Sequence, residues 1–168
     1  MMPPSGETTL DMKRSALKRT KGLHSVGSGD HQKAVHALDR ALSKLVRSHF
    51  RNQCATCIHP HAEYDCGHFV KRERMATRFH PFNVFPQGTK ENRFEGGKEW
   101  EFGRAIDAMH GSGAAQFLKE LSRPIHKWDT LELQTLADAA RRGWRVYEQT
   151  YFMLRPGHRR SGLGAKAA

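Results

Sequence analysis

Between Cys54 and Gly97 the chain gathers side chains that can ligate metal, move protons and grip anions. They are a Cys54-x-x-Cys57 pair, an Asp65-x-x-His68 pair, Asn83 among aromatics, and Asn92 between Glu91 and Arg93. Hydrolysis of a phosphodiester needs an activated water, neutralised phosphoryl oxygens and a stabilised leaving oxygen; one divalent cation can supply the last two. Mg²⁺ takes hard oxygen ligands and keeps several waters, so one Asp carboxylate with one Asn carbonyl is sufficient protein ligation. The water needs a base titrating near neutrality, which histidine provides. Asp65 and His68 are three apart, so in an ideal strand they point to opposite faces. A bulge or turn at Cys66-Gly67 is therefore expected, and Gly67 makes it cheap. Taken alone, Asp-x-x-His is a weak motif whose ordinary reading is a surface Asp beside a hydrogen-bonded His.

Six cations crowd the same stretch: Lys71, Arg72, Arg74, Arg78, Lys90 and Arg93. As a group they are expected to hold a phosphate backbone, and a transition-state dianion would gain from them too. Such contacts carry no sequence information, which points to recognition of DNA shape or branching. The whole chain agrees: 28 Lys and Arg against 17 Asp and Glu give a net charge of +11. That excess repels itself in a folded state unless a polyanion neutralises it, so nucleic acid is the expected partner. No apolar run approaches the ~18 residues needed to span a bilayer, so no membrane role is expected. Three cysteines, two of them in one Cys-x-x-Cys, argue against a disulfide framework and for a cytosolic protein.

The elements that position these residues follow from periodicity. At 168 residues one domain is expected. Residues 1–29 read as a flexible basic arm. Asp30 reads as the N-cap of a helix over 30–50, with Val35, Leu38, Leu42, Leu45 and Val46 as its apolar stripe. Lys33, Arg40, Lys44 and Arg47 fall off that stripe, giving a positive exposed face. Over 54–97 helical periodicity is lost: Pro60, Pro81 and Pro86 forbid a long helix, and the alternation Phe79, Pro81, Asn83, Phe85 suits short strands. A short helix carrying Asn92 is expected to end at Gly96-Gly97. Residues 98–155 read as helices, with Asp129 and Glu132 as a capping box, Trp128 and Leu133 as its staple, and Gly143 as a bend or break. Residues 156–168 read as a flexible tail. The expected fold is α+β and mostly helical.

The order Cys-x-x-Cys, Asp-Cys-Gly-His-Phe, Thr77-Arg78-Phe79, Asn83, Gln87, Asn92-Arg93-Phe94, Gly96-Gly97 resembles the lambda NinG (Rap) family of phage recombination nucleases. The resemblance covers roughly residues 50 to 110, more loosely to about 150, and implies a small ββα-metal (HNH-like) centre akin to that of phage endonuclease VII. It implies His68 as general base, Asp65 and Asn92 as ligands of a catalytic Mg²⁺ or Mn²⁺, and Asn83 as the residue that pins the loop orienting the base. It also implies branched DNA as substrate (Holliday junctions or D-loops), a homodimer for two-strand cutting, and a phage protein working in the bacterial cytoplasm.

One departure from that family stands out. Where relatives carry a second Cys-x-x-Cys, this chain has Gly88 and Glu91. Structural zinc needs four ligands. Cys54 and Cys57 supply two, and His59, His61, His80, Cys66 or Glu91 are open candidates for the rest. The expectation is a knuckle held instead by apolar packing of Phe79, Phe82, Phe85 and Phe94. The alternative function is a junction- or DNA-binding protein whose catalysis was weakened or lost along with its zinc; a zinc-dependent transcription regulator is a weaker third reading.

Overall fold

A computed structural model describes residues 26–159. The chain runs through helix α1 (Val26–His49), strand β1 (Tyr64–His68), strand β2 (Val84–Gly88) and helix α2 (Thr89–Phe94). Four more helices follow: α3 (Glu99–His110), α4 (Ala114–Leu121), α5 (Thr130–Arg142) and α6 (Trp144–Leu154). The fold is α+β and mostly helical, with one two-stranded antiparallel sheet among the described residues. None of the described helices is long and apolar enough to cross a membrane.

The stripe read from the sequence makes α1 the spine of the molecule. Val35, Leu38, Leu42, Leu45 and Val46 are all buried, with Ala34 beside them. They pack against α5, which buries Leu133, Leu136, Ala137 and Ala140. The helix starts at Val26 rather than at Asp30, so Asp30 is not its cap; its carboxylate pairs with Lys33 at 3.1 Å one turn on. The rest of the basic arm lies outside the described residues, as does the tail from residue 160.

Helix α5 opens with the expected capping box: Asp129 accepts from the Leu131 amide at 2.7 Å, and Glu132 accepts from the Asp129 amide at 2.9 Å. Gly143, at φ +124°, breaks the long periodic run into α5 and α6, because no side-chain-bearing residue enters that conformation cheaply. The aromatic face of α6 is core. Tyr147 and Tyr151 are fully buried, and Tyr147 donates its hydroxyl hydrogen to the Phe79 carbonyl. The chain stays packed past residue 155, where the tail was expected to begin: a 3-10 turn, Pro156–His158, brings His158 Nδ1 to within 2.8 Å of the Tyr151 hydroxyl.

Strands β1 and β2, followed directly by α2, form a ββα unit. Its pairing is regular, from Tyr64 opposite Gly88 to His68 opposite Val84. The expected bulge at Cys66-Gly67 is therefore absent, and Gly67 serves a different need. A Cβ there would lie 2.7 Å from Gln87 Oε1 and 3.2 Å from the Phe102 ring, so its bare Cα admits the neighbours that cover the sheet. The alternation from Phe79 to Phe85 also gives less strand than expected. Pro81 fixes φ for a 3-10 turn (Pro81–Asn83), and His80 Nδ1 caps it by accepting from the Phe82 amide. Phe79, Phe82 and Phe85 are buried as expected, but Phe94 is 79% exposed. It is the last residue of a six-residue helix, and Gly96 and Gly97, both at positive φ, turn the chain away immediately after it.

Candidate functional site

Asp65 stands near the start of β1 and His68 at its end, and both line one open cleft of roughly 630 Å³. The cleft takes residues from β1 and none from β2. Asp65, Cys66 and His68 all border it, so side chains from both faces of β1 reach one space. Asp65 and His68 border the cleft although the pairing is regular, without the bulge that was expected. Asn92, on the neighbouring α2, donates from Nδ2 to Asp65 Oδ2 at 3.1 Å. The carboxylate and the imidazole singled out in the sequence thus border one cleft, and the Asn92 amide reaches that carboxylate from α2.

The chemistry of His68 is set by its neighbours. Its Nε2 lies 3.1 Å from the Arg78 carbonyl. A carbonyl can only accept, so Nε2 carries the hydrogen and Nδ1 is left as the basic atom. Burial, reinforced by the positive charges of Arg72 and Arg78, pushes the His68 pKa down to about 4, with Asp39 pulling the other way. The imidazole is accordingly neutral at physiological pH, and it titrates well below the near-neutral range expected of the base, because burial disfavours its charged form. Asn83 is fully buried and ties both ends of the loop after His68: its Oδ1 accepts from the Val70 amide at 2.7 Å, and its Nδ2 donates to the Val70 and Thr77 carbonyls at 3.0 Å each. Thr77 directly precedes Arg78, so Asn83 fixes the segment whose carbonyl holds His68.

Compared with protein-family models, curated proteins and solved structures, the chain matches none of them. The site is therefore read from its own residues. Asp65 is gripped by Arg93 through two bonds, from Nε at 2.8 Å and Nη2 at 2.9 Å. Burial would raise its pKa, but the hydrogen bonds from Arg93 and Asn92 outweigh that and hold the carboxyl below its ordinary value.

The six cations divide by environment. Arg78 is largely buried and bound to Asp39 through Nε at 3.1 Å and Nη2 at 2.5 Å, so its side chain braces α1 instead of facing a ligand. Arg72 shares the same Asp39 at 2.8 Å but is half exposed at the cleft. Arg93 lines the cleft too, while Lys90 pairs with Glu95 at 3.6 Å. Lys71 and Arg74 are exposed. Arg40 and Arg47, from the positive face expected of α1, line the cleft, and Asp39 and Ser43, which sequence reasoning missed, line it with them. The signal was present as a polar run at three- and four-residue steps beside the apolar stripe.

A second cluster lies on the other flank of α2. Cys54 Sγ, Cys57 Sγ, a His61 ring nitrogen and a Glu91 carboxylate oxygen all lie within 4.8 Å of one another. Of the open candidates named beside the cysteines, His61 and Glu91 are the two brought there. His80 is buried in the aromatic core against Tyr151 and Phe152, and Cys66 lines the cleft. Around Glu91, burial acts to raise the pKa, but hydrogen bonds from Lys98, Thr56 and the two cysteines pull it to about 2.

Proposed function

We propose that this chain is a metal-dependent DNA endonuclease with an HNH-like ββα centre, acting on branched recombination intermediates such as Holliday junctions or D-loops in the cytoplasm of a phage-infected bacterium. The observation that carries the reading is that Asp65 and His68 share one arginine-lined cleft, with Asn92 bonded to the Asp65 carboxylate. Only Nδ1 of the imidazole is left to act as a base.

The residues fit a hard divalent cation: an ionised carboxylate beside an amide is the small oxygen set that Mg²⁺ or Mn²⁺ accepts. Asp65 and Asn92 would hold it, and the bound ion would neutralise the scissile phosphate and the leaving oxygen. His68 Nδ1 takes the proton of the attacking water. The Arg78 carbonyl and the Asn83-pinned loop keep that ring in one tautomer and one orientation. Arg72, Arg93, Arg40 and Arg47 line the walls that face the phosphate backbone. Preference for branched DNA rests on the resemblance of the motif order alone.

The test is a labelled four-way junction incubated with the protein, with and without Mg²⁺ or Mn²⁺, beside His68→Ala. Cutting is expected only with metal, and the variant is expected to bind without cutting. One observation favours the second reading, a junction-binding protein without catalysis: Arg93 occupies both oxygens of the Asp65 carboxylate that a metal would need. Binding without cutting under every divalent ion would decide for that reading.

A further inference from the structure

The cluster formed by Cys54, Cys57, His61 and Glu91 is separate from the catalytic cleft and does not depend on the nuclease reading. We propose that it is a closed structural zinc site, which clamps the loop before β1 onto helix α2.

The geometry is that of one ion's shell. Cys54 Sγ lies 3.2 Å from Glu91 Oε2, Cys57 Sγ 3.0 Å from His61 Nε2, and His61 Nε2 3.8 Å from Glu91 Oε2. With Zn–S near 2.3 Å and Zn–N or Zn–O near 2.0 Å, tetrahedral ligand atoms lie roughly 3.2–3.8 Å apart, so small adjustments close the shell. Two thiols and an imidazole select a borderline-soft ion over Mg²⁺ or Ca²⁺. Four protein ligands leave no position for water or substrate, which makes the site structural.

Three further features are built around those ligands. Lys98 Nζ holds Glu91 Oε1 at 2.7 Å, directing Oε2 inward, and the Thr56 hydroxyl donates to Oε2 at 2.5 Å. Such outer partners orient a ligand and tune its affinity. Two thiolates and a carboxylate give the zinc complex a net −1, which Lys98 offsets. Gly88 completes the cradle: a Cβ there would fall 2.5 Å from His61 Nδ1 and Cε1, so the imidazole occupies the space a side chain at position 88 would take. The clamp has a consequence for α2, since Glu91 is followed directly by Asn92 and its carbonyl accepts from the Gly97 amide at 3.0 Å. Fixing Glu91 fixes both ends of the short helix.

Metal analysis of the full chain after gel filtration through a mild chelator tests this directly. One zinc per chain is expected, and stripping it with a strong chelator is expected to lower the thermal midpoint. Substituting Co²⁺ is expected to give the near-ultraviolet thiolate-to-metal absorption and intense visible bands of a tetrahedral ion. His61→Cys keeps the ion and strengthens the thiolate band by about half, as two thiolates become three. Thr56→Val weakens zinc affinity roughly 10- to 100-fold, and Cys66→Ser leaves metal content unchanged. Zinc that is substoichiometric and lost to the mild chelator, a Co²⁺ spectrum without thiolate absorption, or loss of metal in Cys66→Ser equal to that in Cys54→Ser would each overturn the site.

Discussion

A neutral imidazole between two arginines and a carboxylate makes His68 sensitive to charge at a single neighbouring position. Arg72 is the largest electrostatic contribution holding its pKa down, and Asp39, which Arg72 partly neutralises, works to raise it. Arg72→Gln removes the first and releases the second, so both effects raise the pKa. The acid limb of the cleavage rate against pH, expected below the usual histidine value of about 6.5 in the wild type, is predicted to move to higher pH in that variant. An unmoved or lowered limb would remove His68 as the titrating base. Arg93 holds both Asp65 oxygens, so the proposed divalent cation would have to compete with it for them. Arg93→Ala is therefore predicted to lower the Mg²⁺ concentration for half-maximal cleavage while weakening DNA binding, read from metal titrations at saturating junction. At this scale residue types were informative and orientations were not. Asp65, His68, Asn83 and Asn92 were all visible as chemistry. That Arg78 faces inward depends on Asp39 of α1, 39 positions away in the chain, and no local pattern encodes such a pairing.

Elements were legible where periodicity or the Asp129–Glu132 box decides them, but the start of α1 was not, since the helix runs past Asp30 to Val26. The α1 stripe, the Asp129–Glu132 box and the break at Gly143 all follow from side chains within a turn or two of each other. The ββα unit was harder to read. Regular pairing without a bulge, and a 3-10 turn where strand was expected, depend on Pro81, the His80 cap and the cover that Phe102 gives Gly67. One tertiary lock tests how firmly these elements are joined. Glu132 caps α5 and also receives both Nη1 and Nη2 of Arg155, at 2.5 Å each, while that guanidinium lies 4.3 Å from the Trp128 ring. Glu132→Ala removes half of the capping box and leaves Arg155, mostly shielded from solvent, without its partner. A loss of about 2–4 kcal/mol is expected, seen as a thermal midpoint lower by on the order of 10 °C. A change within error would mean that the ion pair and the cap contribute nothing net.

Across the whole molecule, the excess of positive charge was plain in composition, but the cleft it faces was not, because that cleft is assembled from α1, β1 and α2. The cleft and the aromatic core between them bury four histidines in their neutral form. Burial lowers His80 to about 3 and, as the leading cause in each, His68, His110 and His158 to about 4. The unfolded chain takes up these protons near pH 6.5, whereas the folded one does not until well below it. The unfolded state therefore binds more protons across that window, and stability falls as pH drops from about 6.5 toward 4. A thermal midpoint lower by on the order of 10 °C at pH 5 than at pH 7 is expected, and one independent of pH would contradict the buried placement of these rings.

The central claim is that Asp65, His68 and Asn92 act as one hydrolytic site. Single-turnover cleavage of a pre-bound four-way junction, by the wild type and by Asp65→Ala, His68→Ala and Asn92→Ala, measures it most directly. The predicted result is metal-dependent cutting by the wild type and a rate at least ~100-fold lower in each variant, with junction binding retained. Cutting by the variants at the wild-type rate, or none by the wild type with any divalent ion, would contradict it.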